Sequence, residues 1–192
     1  MSIDYYDRKG AEFFARSAHA DLGVAQARFL VHVPKGGAIL EAGCGSGRDA
    51  LAFARAGYVV TAFDGSAKMV ELATAHTGLP VLHRHFQDVE WVNAFDGVWS
   101  CACLLHVPRR ELRDVMARLA RALKPSGAWF MSFKYGDTER VAHERHFTDM
   151  NEALLASAIA EVGLTVADLW VSGDDRPERQ GERWTNAVAR KC

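Results

Sequence analysis

Glu41-Ala42-Gly43-Cys44-Gly45-Ser46-Gly47 is the stretch on which the fold turns. It follows a short apolar run over 38–42 and precedes a helical pattern over about 47–56, so it marks the turn from a first strand into a first helix. Glycines there let the backbone turn sharply and leave no side chain between chain and ligand. The helix behind them turns its amides and positive dipole end to the same space. A nucleotide-like ligand fits such a turn, and its kind can be narrowed. The dinucleotide pattern G-x-G-x-x-G fails because its sixth position is Arg48, and no Gly-Lys-Ser/Thr follows for a phosphate loop.

Outward from that turn, strands and helices alternate. Strands are predicted over 58–63, 79–85, 95–101 and 128–133, and helices over 66–75 (with Ser66 as cap), 109–122 and about 149–161, the last behind Thr148 and Asp149. Two final strands, 164–171 and 183–189, have only a polar loop between them, so they pair as a hairpin. Upstream, 21–33 has helical spacing at Leu22, Ala25, Phe29 and Leu30, and the chain before it is a polar, aromatic opening. Such alternation predicts a Rossmann-like, doubly wound α/β sheet with one reversed strand. The organisation expected is a single domain over 1–192, with 1–35 as an N-terminal helical lid and 36–192 as the core.

Acids stand at the ends of the successive strands. Glu41, at the tip of the first, would repel a pyrophosphate but attract the α-ammonium of a methionine moiety. Asp64 follows the second strand, about 20 residues beyond the glycines, where a carboxylate can accept both ribose hydroxyls. Asp88 follows the third and can accept from an adenine amino group. The set suits S-adenosylmethionine and disfavours NAD.

At this point the chain resembles the class I S-adenosylmethionine-dependent methyltransferases. Residues 41–47 look like that family's first motif, and Asp64 and Asp88 fall where it contacts ribose and adenine. Phe95-Asp96-Gly97-Val98-Trp99-Ser100 with Leu104-Leu105-His106-Val107 resembles its fourth motif. Leu123-Lys124-Pro125-Ser126-Gly127 resembles the L-K-P-G-G turn before strand five, with Ser126 in place of a glycine. The likeness covers about 36–190, and the compact Tyr-Tyr start is similar to the small-molecule branch that includes tellurite-resistance and thiopurine-type enzymes. It implies a seven-stranded sheet in the order 3-2-1-4-5-7-6 with strand 7 antiparallel. It also implies a cofactor site drawn from Glu41, Gly43, Cys44, Gly45, Gly47, Arg48, Asp64, Gly65, Gln87, Asp88, Val89 and Ser100.

Methyl transfer needs an aligned acceptor and exclusion of water, and a general base only where the acceptor's proton must leave early. No catalytic residue is therefore named outright, and the attacking atom stays open. His106, at the carboxyl edge of the sheet, and Tyr6, beside Tyr5 in a lid, are the candidates to face the acceptor. Lys134, Tyr135, Arg145, His146 and Phe147 after strand five, and Arg176, Arg183 and Trp184 around the last hairpin, suit an anionic or aromatic acceptor. Cys101 and Cys103 read as small apolar filler sharing one face. His83-x-His85 and His143-x-x-His146 lack third and fourth ligands, so no metal is expected.

Composition bounds the partners. Lys plus Arg is 23 against 24 Asp plus Glu, a net charge of -1. That balance supplies no field for gripping nucleic acid, and the arginines at 109, 110 and 113 are scattered. Cys44, Cys101, Cys103 and Cys192 show no disulfide spacing, the opening is no signal peptide, and no run approaches the roughly 20 apolar residues of a membrane span. A cytoplasmic monomer or homodimer with a small-molecule acceptor is expected. The alternatives are a methyltransferase acting on protein or RNA and a non-catalytic module that binds the cofactor.

Overall fold

The computed structural model describes residues 2–174, 179 and 181–192. Its nine strands are β1 Ala38–Ala42, β2 Val59–Asp64, β3 Val81–His83, β4 Phe95–Ser100, β5 Leu123–Lys134, β6 Glu139–Ala142, β7 Arg145–Thr148, β8 Leu164–Gly173 and β9 Arg183–Lys191. The helices are α1 Ser2–Ser17, α2 Gly23–Leu30, α3 Arg48–Arg55, α4 Ala67–Thr77, α5 Arg109–Ala122 and α6 Glu152–Glu161. Seven strands form one sheet in the order β3-β2-β1-β4-β5-β9-β8, and β6 and β7 form a separate two-stranded ribbon. With the ribbon set aside, β8 and β9 are the sixth and seventh sheet strands, so the order is the expected 3-2-1-4-5-7-6. β9 runs antiparallel to both β5 and β8.

Alternation along the central strands divides the core between the two faces. In β4 and β5, Val98, Trp129 and Met131 join the cluster formed with Leu112, Val115 and Leu119 of α5. Their neighbours Trp99 and Phe130 join Phe29 of α2 and Phe53 of α3 on the opposite face. There the Trp99 and Phe130 rings stack at 4.0 Å, with Phe29 and Phe53 packed at 5.3 and 5.2 Å from Trp99. Both buried indoles keep a partner, as their N–H groups require: Trp99 donates to Asp49 at 3.0 Å, and Trp129 to Ser100 at 3.0 Å. Asp49 also accepts from Gln26 at 2.7 Å, so one buried carboxylate joins α2, α3 and β4.

Several boundaries differ from the sequence expectation, each for a local reason. The third strand shrinks from 79–85 to Val81–His83, since Pro80 has no N–H to donate and Asp88 draws the chain after His85 into a tight turn. The sixth helix starts behind Asn151, whose side chain accepts from Leu154 N, because Asp149 is engaged by Arg140 instead. The polar opening is a 16-residue helix, α1. The β6–β7 ribbon was not expected at all. Its two turn residues, His143 and Glu144, both have positive φ (49° and 62°), a conformation usually signalled by Asn-Gly.

At Ser126 the backbone is also left-handed, with φ of 62°, where the resembling motif carries glycine. A side chain there costs about 1–2 kcal/mol relative to a right-handed position, part of which glycine recovers and part of which it loses as unfolded-state entropy. Ser126→Gly is therefore expected to raise stability by about 0.5–1 kcal/mol and Ser126→Val to lower it, both read from urea unfolding midpoints.

Candidate active site

The carboxyl ends of β1, β2, β4 and β5 open into one crevice of about 1460 Å³, closed on one side by α1 and β7. Its first half is built on the glycine turn. Asp64, at the end of β2, accepts from Gly45 N with Oδ2 and from Ser66 N with Oδ1, both at 2.9 Å, so it holds the turn and the start of α4 together. Gly43 N and Cys44 N donate to Phe63 O, which leaves fewer free amides than the sequence suggested. Gly43 is a close-approach position, since a Cβ there would lie 2.7 Å from the Cys103 Cβ. Gly45 is the open one, with only the Phe13 ring of α1 above it.

Glu41 lies at the same edge, buried, and its Oε2 has no hydrogen-bond partner among the described residues. Burial and the neighbouring Asp49 push its carboxyl well above the usual range. Arg48, at the first turn of α3, donates to Ser17 O at 3.2 Å and lies 3.5 Å from Asp49. Gly65 and Gln87 also line the crevice, as do Gly43, Cys44, Gly45, Arg48 and Asp64.

Four of the residues singled out lie away from it. Asp88 is exposed, and its Oδ2 accepts from His85 N at 3.0 Å. Val89 is buried in the core, Ser100 is fully buried under Trp129, and Gly47 caps α3 against Thr77 and Ala73. Cys101 and Cys103 do not share a face. The positive φ of Ala102 (51°) swings them apart, Cys101 toward Arg48 and Ser132 and Cys103 toward Ala42 O at 2.9 Å.

The second half of the crevice holds the two acceptor-facing candidates in direct contact. The Tyr6 hydroxyl is 2.8 Å from His106 Nε2, and His106 Nδ1 is 2.7 Å from His146 O. A carbonyl only accepts, so Nδ1 carries the proton and Nε2 accepts from Tyr6. Arg145 Nη1 donates to the same hydroxyl at 3.3 Å. Lys134 is paired with Glu182, Arg140 with Asp149 at 2.9 Å, and Arg183 lies 3.9 Å above the Tyr135 ring. His146 is held by Thr148 and Glu139, and His83 meets Gly65 O, so neither histidine pair converges on a common point. Arg176 lies outside the described residues.

Helix α1 carries residues that the sequence did not bring forward. Asp7 of α1 accepts from Ser66 Oγ at 2.6 Å and from Lys68 N at 3.3 Å, which clasps α1 to the start of α4. On the other side, Ser2 accepts from His146 N and Arg8 pairs with Glu144. Ile3, Tyr6, Phe13 and Ser17 all face the crevice, a helical spacing that marks one side of α1.

Burial pushes His106 down from 6.5 to about 4. The unfolded chain then takes up this proton first on acidification, so stability present above about pH 6.5 is lost as the pH falls toward 4. Since the ring still touches the crevice, the loss is at most about 3 kcal/mol. His106→Gln should flatten that part of the stability–pH profile measured by denaturant unfolding.

Residues 39–127 match the model of a methyltransferase domain. The chain is 34% identical over 106 residues to the ubiquinone biosynthesis O-methyltransferase of Xanthomonas axonopodis pv. citri, covering 52% of this chain and 44% of that one. It is 28% identical over 156 residues to the enzyme of the same name from Caulobacter vibrioides, covering 78% and 53%. The chain thus spans about half the length of these relatives. Its fold is similar to that of the Burkholderia thailandensis 1,6-didemethyltoxoflavin-N1-methyltransferase, crystallised with its acceptor and S-adenosylhomocysteine (TM-score 0.81, 24% identity, covering 99% of this chain and 85% of that one). It is also similar to the magnesium protoporphyrin IX methyltransferase of Synechocystis (TM-score 0.74, 18% identity, covering 100% and 98%). Residues 39–127 thus match a methyltransferase domain, and the fold of the whole chain is similar to that of these methyltransferases of known structure.

Proposed function

We propose that this chain transfers a methyl group from S-adenosylmethionine to a small-molecule acceptor in the cytoplasm. The observation that carries this is Glu41, a buried carboxylate with an unpartnered oxygen at the carboxyl end of β1. An unmatched buried acceptor is uncommon in a folded protein and is explained where a ligand supplies the donor. An α-ammonium group does so, and a pyrophosphate does not. The crevice also exceeds the roughly 300–1,000 Å³ typical of a single small ligand, which leaves room for cofactor and acceptor together.

In this proposal Glu41, the open face of Gly45, Arg48, Asp64, Gly65 and Gln87 hold the cofactor. Gly43, Cys44 and Gly47 shape its turn, whereas Asp88, Val89 and Ser100 act only as supports. The bound sulfonium supplies its own activated leaving group. The chain's part is to align the acceptor, exclude water through the lid over 1–35, and take charge of a proton at Tyr6. That hydroxyl, fixed by His106 and Arg145, can accept a hydrogen bond from an acceptor's O–H or N–H while passing its own proton toward Nε2. The near-neutral charge favours a small acceptor over nucleic acid, and the four free thiols fit a reducing compartment.

Calorimetry should find S-adenosylmethionine bound far more tightly than NAD. Glu41→Gln and Asp64→Ala should each weaken it by about 1–3 kcal/mol, the scale of a charge-assisted hydrogen bond. Tyr6→Phe should lower the single-turnover methylation rate more than it lowers cofactor affinity. Comparable affinity for NAD would contradict the cofactor assignment.

The raised Glu41 pKa gives a second outcome. Empty protein holds a proton on this carboxyl at mildly acid pH, and an ammonium ligand needs it ionised, so binding releases a proton. Cofactor affinity should therefore rise with pH above the usual carboxylate range. The binding enthalpy at low pH should vary with the buffer's ionisation enthalpy in wild type and not in Glu41→Gln.

A further inference from the structure

Arg145 stands apart from the other cations of the acceptor half. Lys134 and Arg140 are each matched to a carboxylate, Glu182 and Asp149, and Arg183 is exposed. Arg145 is half-buried and has no carboxylate partner among the described residues. Of its donors, Nη1 is taken by the Tyr6 hydroxyl, and Nε is buried with no acceptor. Its guanidinium lies against ring faces, 4.7 Å from the Tyr5 centroid and 5.2 Å from Phe147. Those contacts hold the fork in one orientation but leave its charge unneutralised.

The nearby acids are committed elsewhere. Glu144 pairs with Arg8, and Glu139 meets His146 and Arg109 N. His106, held neutral by burial, adds no counter-charge. A partly buried cation without a partner is disfavoured unless something supplies the anion. Nε is enclosed, whereas Nη2 makes no hydrogen bond to the described residues and is the donor left for an anion's oxygen. The surrounding crevice wall is aromatic, with Tyr6, Phe13, Phe147 and Trp184 lining it.

The geometry points to an anionic, ring-bearing acceptor whose carboxylate or phosphate group accepts from Nη2 of Arg145, with its ring between the aromatic side chains. This rests on the methyl-transfer proposal only in calling the ligand an acceptor. The anion does two things there. It satisfies the guanidinium, and it offsets the second positive charge that a sulfonium brings into the same crevice.

The test uses the full chain with S-adenosylhomocysteine and four probes: 4-hydroxybenzoate, phenyl phosphate, the neutral 4-hydroxybenzamide, and acetate. Calorimetry should find at least one of the two ring anions bound about tenfold or more tightly than the amide and than acetate. Arg145→Gln should abolish that preference while S-adenosylhomocysteine affinity stays within about threefold, and Arg145→Lys should restore part of it. Equal affinity for acid and amide, a preference that survives Arg145→Gln, or no binding of either ring anion overturns the proposal. Acetate binding as well as the ring acids overturns its aromatic part. The wild-type comparison of acid with amide holds even if a variant fails to fold. Loss of S-adenosylhomocysteine binding in wild type would count against the methyltransferase proposal instead, and an acid-over-amide preference would still stand on its own.

Discussion

The Asp64 carboxylate accepts from Gly45 N with one oxygen and from Ser66 N with the other. Through the first bond it anchors the glycine turn between β1 and α3. Through the second it fixes the residue that caps α4. Ser66 then donates to Asp7 and brings α1 down onto α4, and α1 carries Tyr6 across the crevice to His106 and Arg145. Both halves of the site therefore hang on hydrogen bonds that begin at one side chain. Because the bonds are charge-assisted and shielded from water, they are stronger than exposed equivalents.

A rigid floor makes that linkage useful. The stacked Trp99 and Phe130 rings, with Phe29 and Phe53 around them, fill one face of the sheet just behind the site. Asp49 ties the indole of Trp99 to α2 and to the first turn of α3. Movement of the glycine turn relative to β4 would break a buried, satisfied network, which is costly in a low-dielectric core. Above that floor, three ionisable groups each keep a buried atom without a hydrogen-bond partner among the described residues: Glu41 at the β1 end, Arg48 at the start of α3 and Arg145 on β7. The first two sit in one half of the crevice and Arg145 in the other, so each half offers a group that a ligand can complete.

Much of this was legible in the residues. A reversed strand in the final hairpin and the helix over 109–122 follow from hydrophobic period and from turn residues, which act over short distances, whereas the strand order is what the family resemblance implied. Glu41, Gly45 and Asp64 were legible because strand ends in such a sheet meet at one edge. Harder to read was any element stabilised by its neighbours. α1 is polar on most of its surface and gains its place from the Asp7 clasp and the packing of Gly10 against Met69. The β6–β7 ribbon has a His-Glu turn with no turn chemistry, and is held by Arg140 on Asp149 and by the contacts of His146.

The amino-acid sequence by itself determined the α/β class, the strand order through its family likeness, and a glycine turn ringed by acids. Local period and turn stereochemistry are enough for the class and the glycine turn, and the likeness supplies the order. Only the tertiary structure decided which acid keeps an open oxygen and which is spent, leaving Glu41 Oε2 without a partner among the described residues and Asp88 in a loop cap. It alone joined Tyr6 to His106, separated Cys101 from Cys103, and left Arg145 without a carboxylate partner among the described residues. The reason is physical. Hydrogen-bond partnership and desolvation depend on groups 100 or more positions apart, as Tyr6 is from His106 and, at 139, from Arg145, and no local pattern carries that distance.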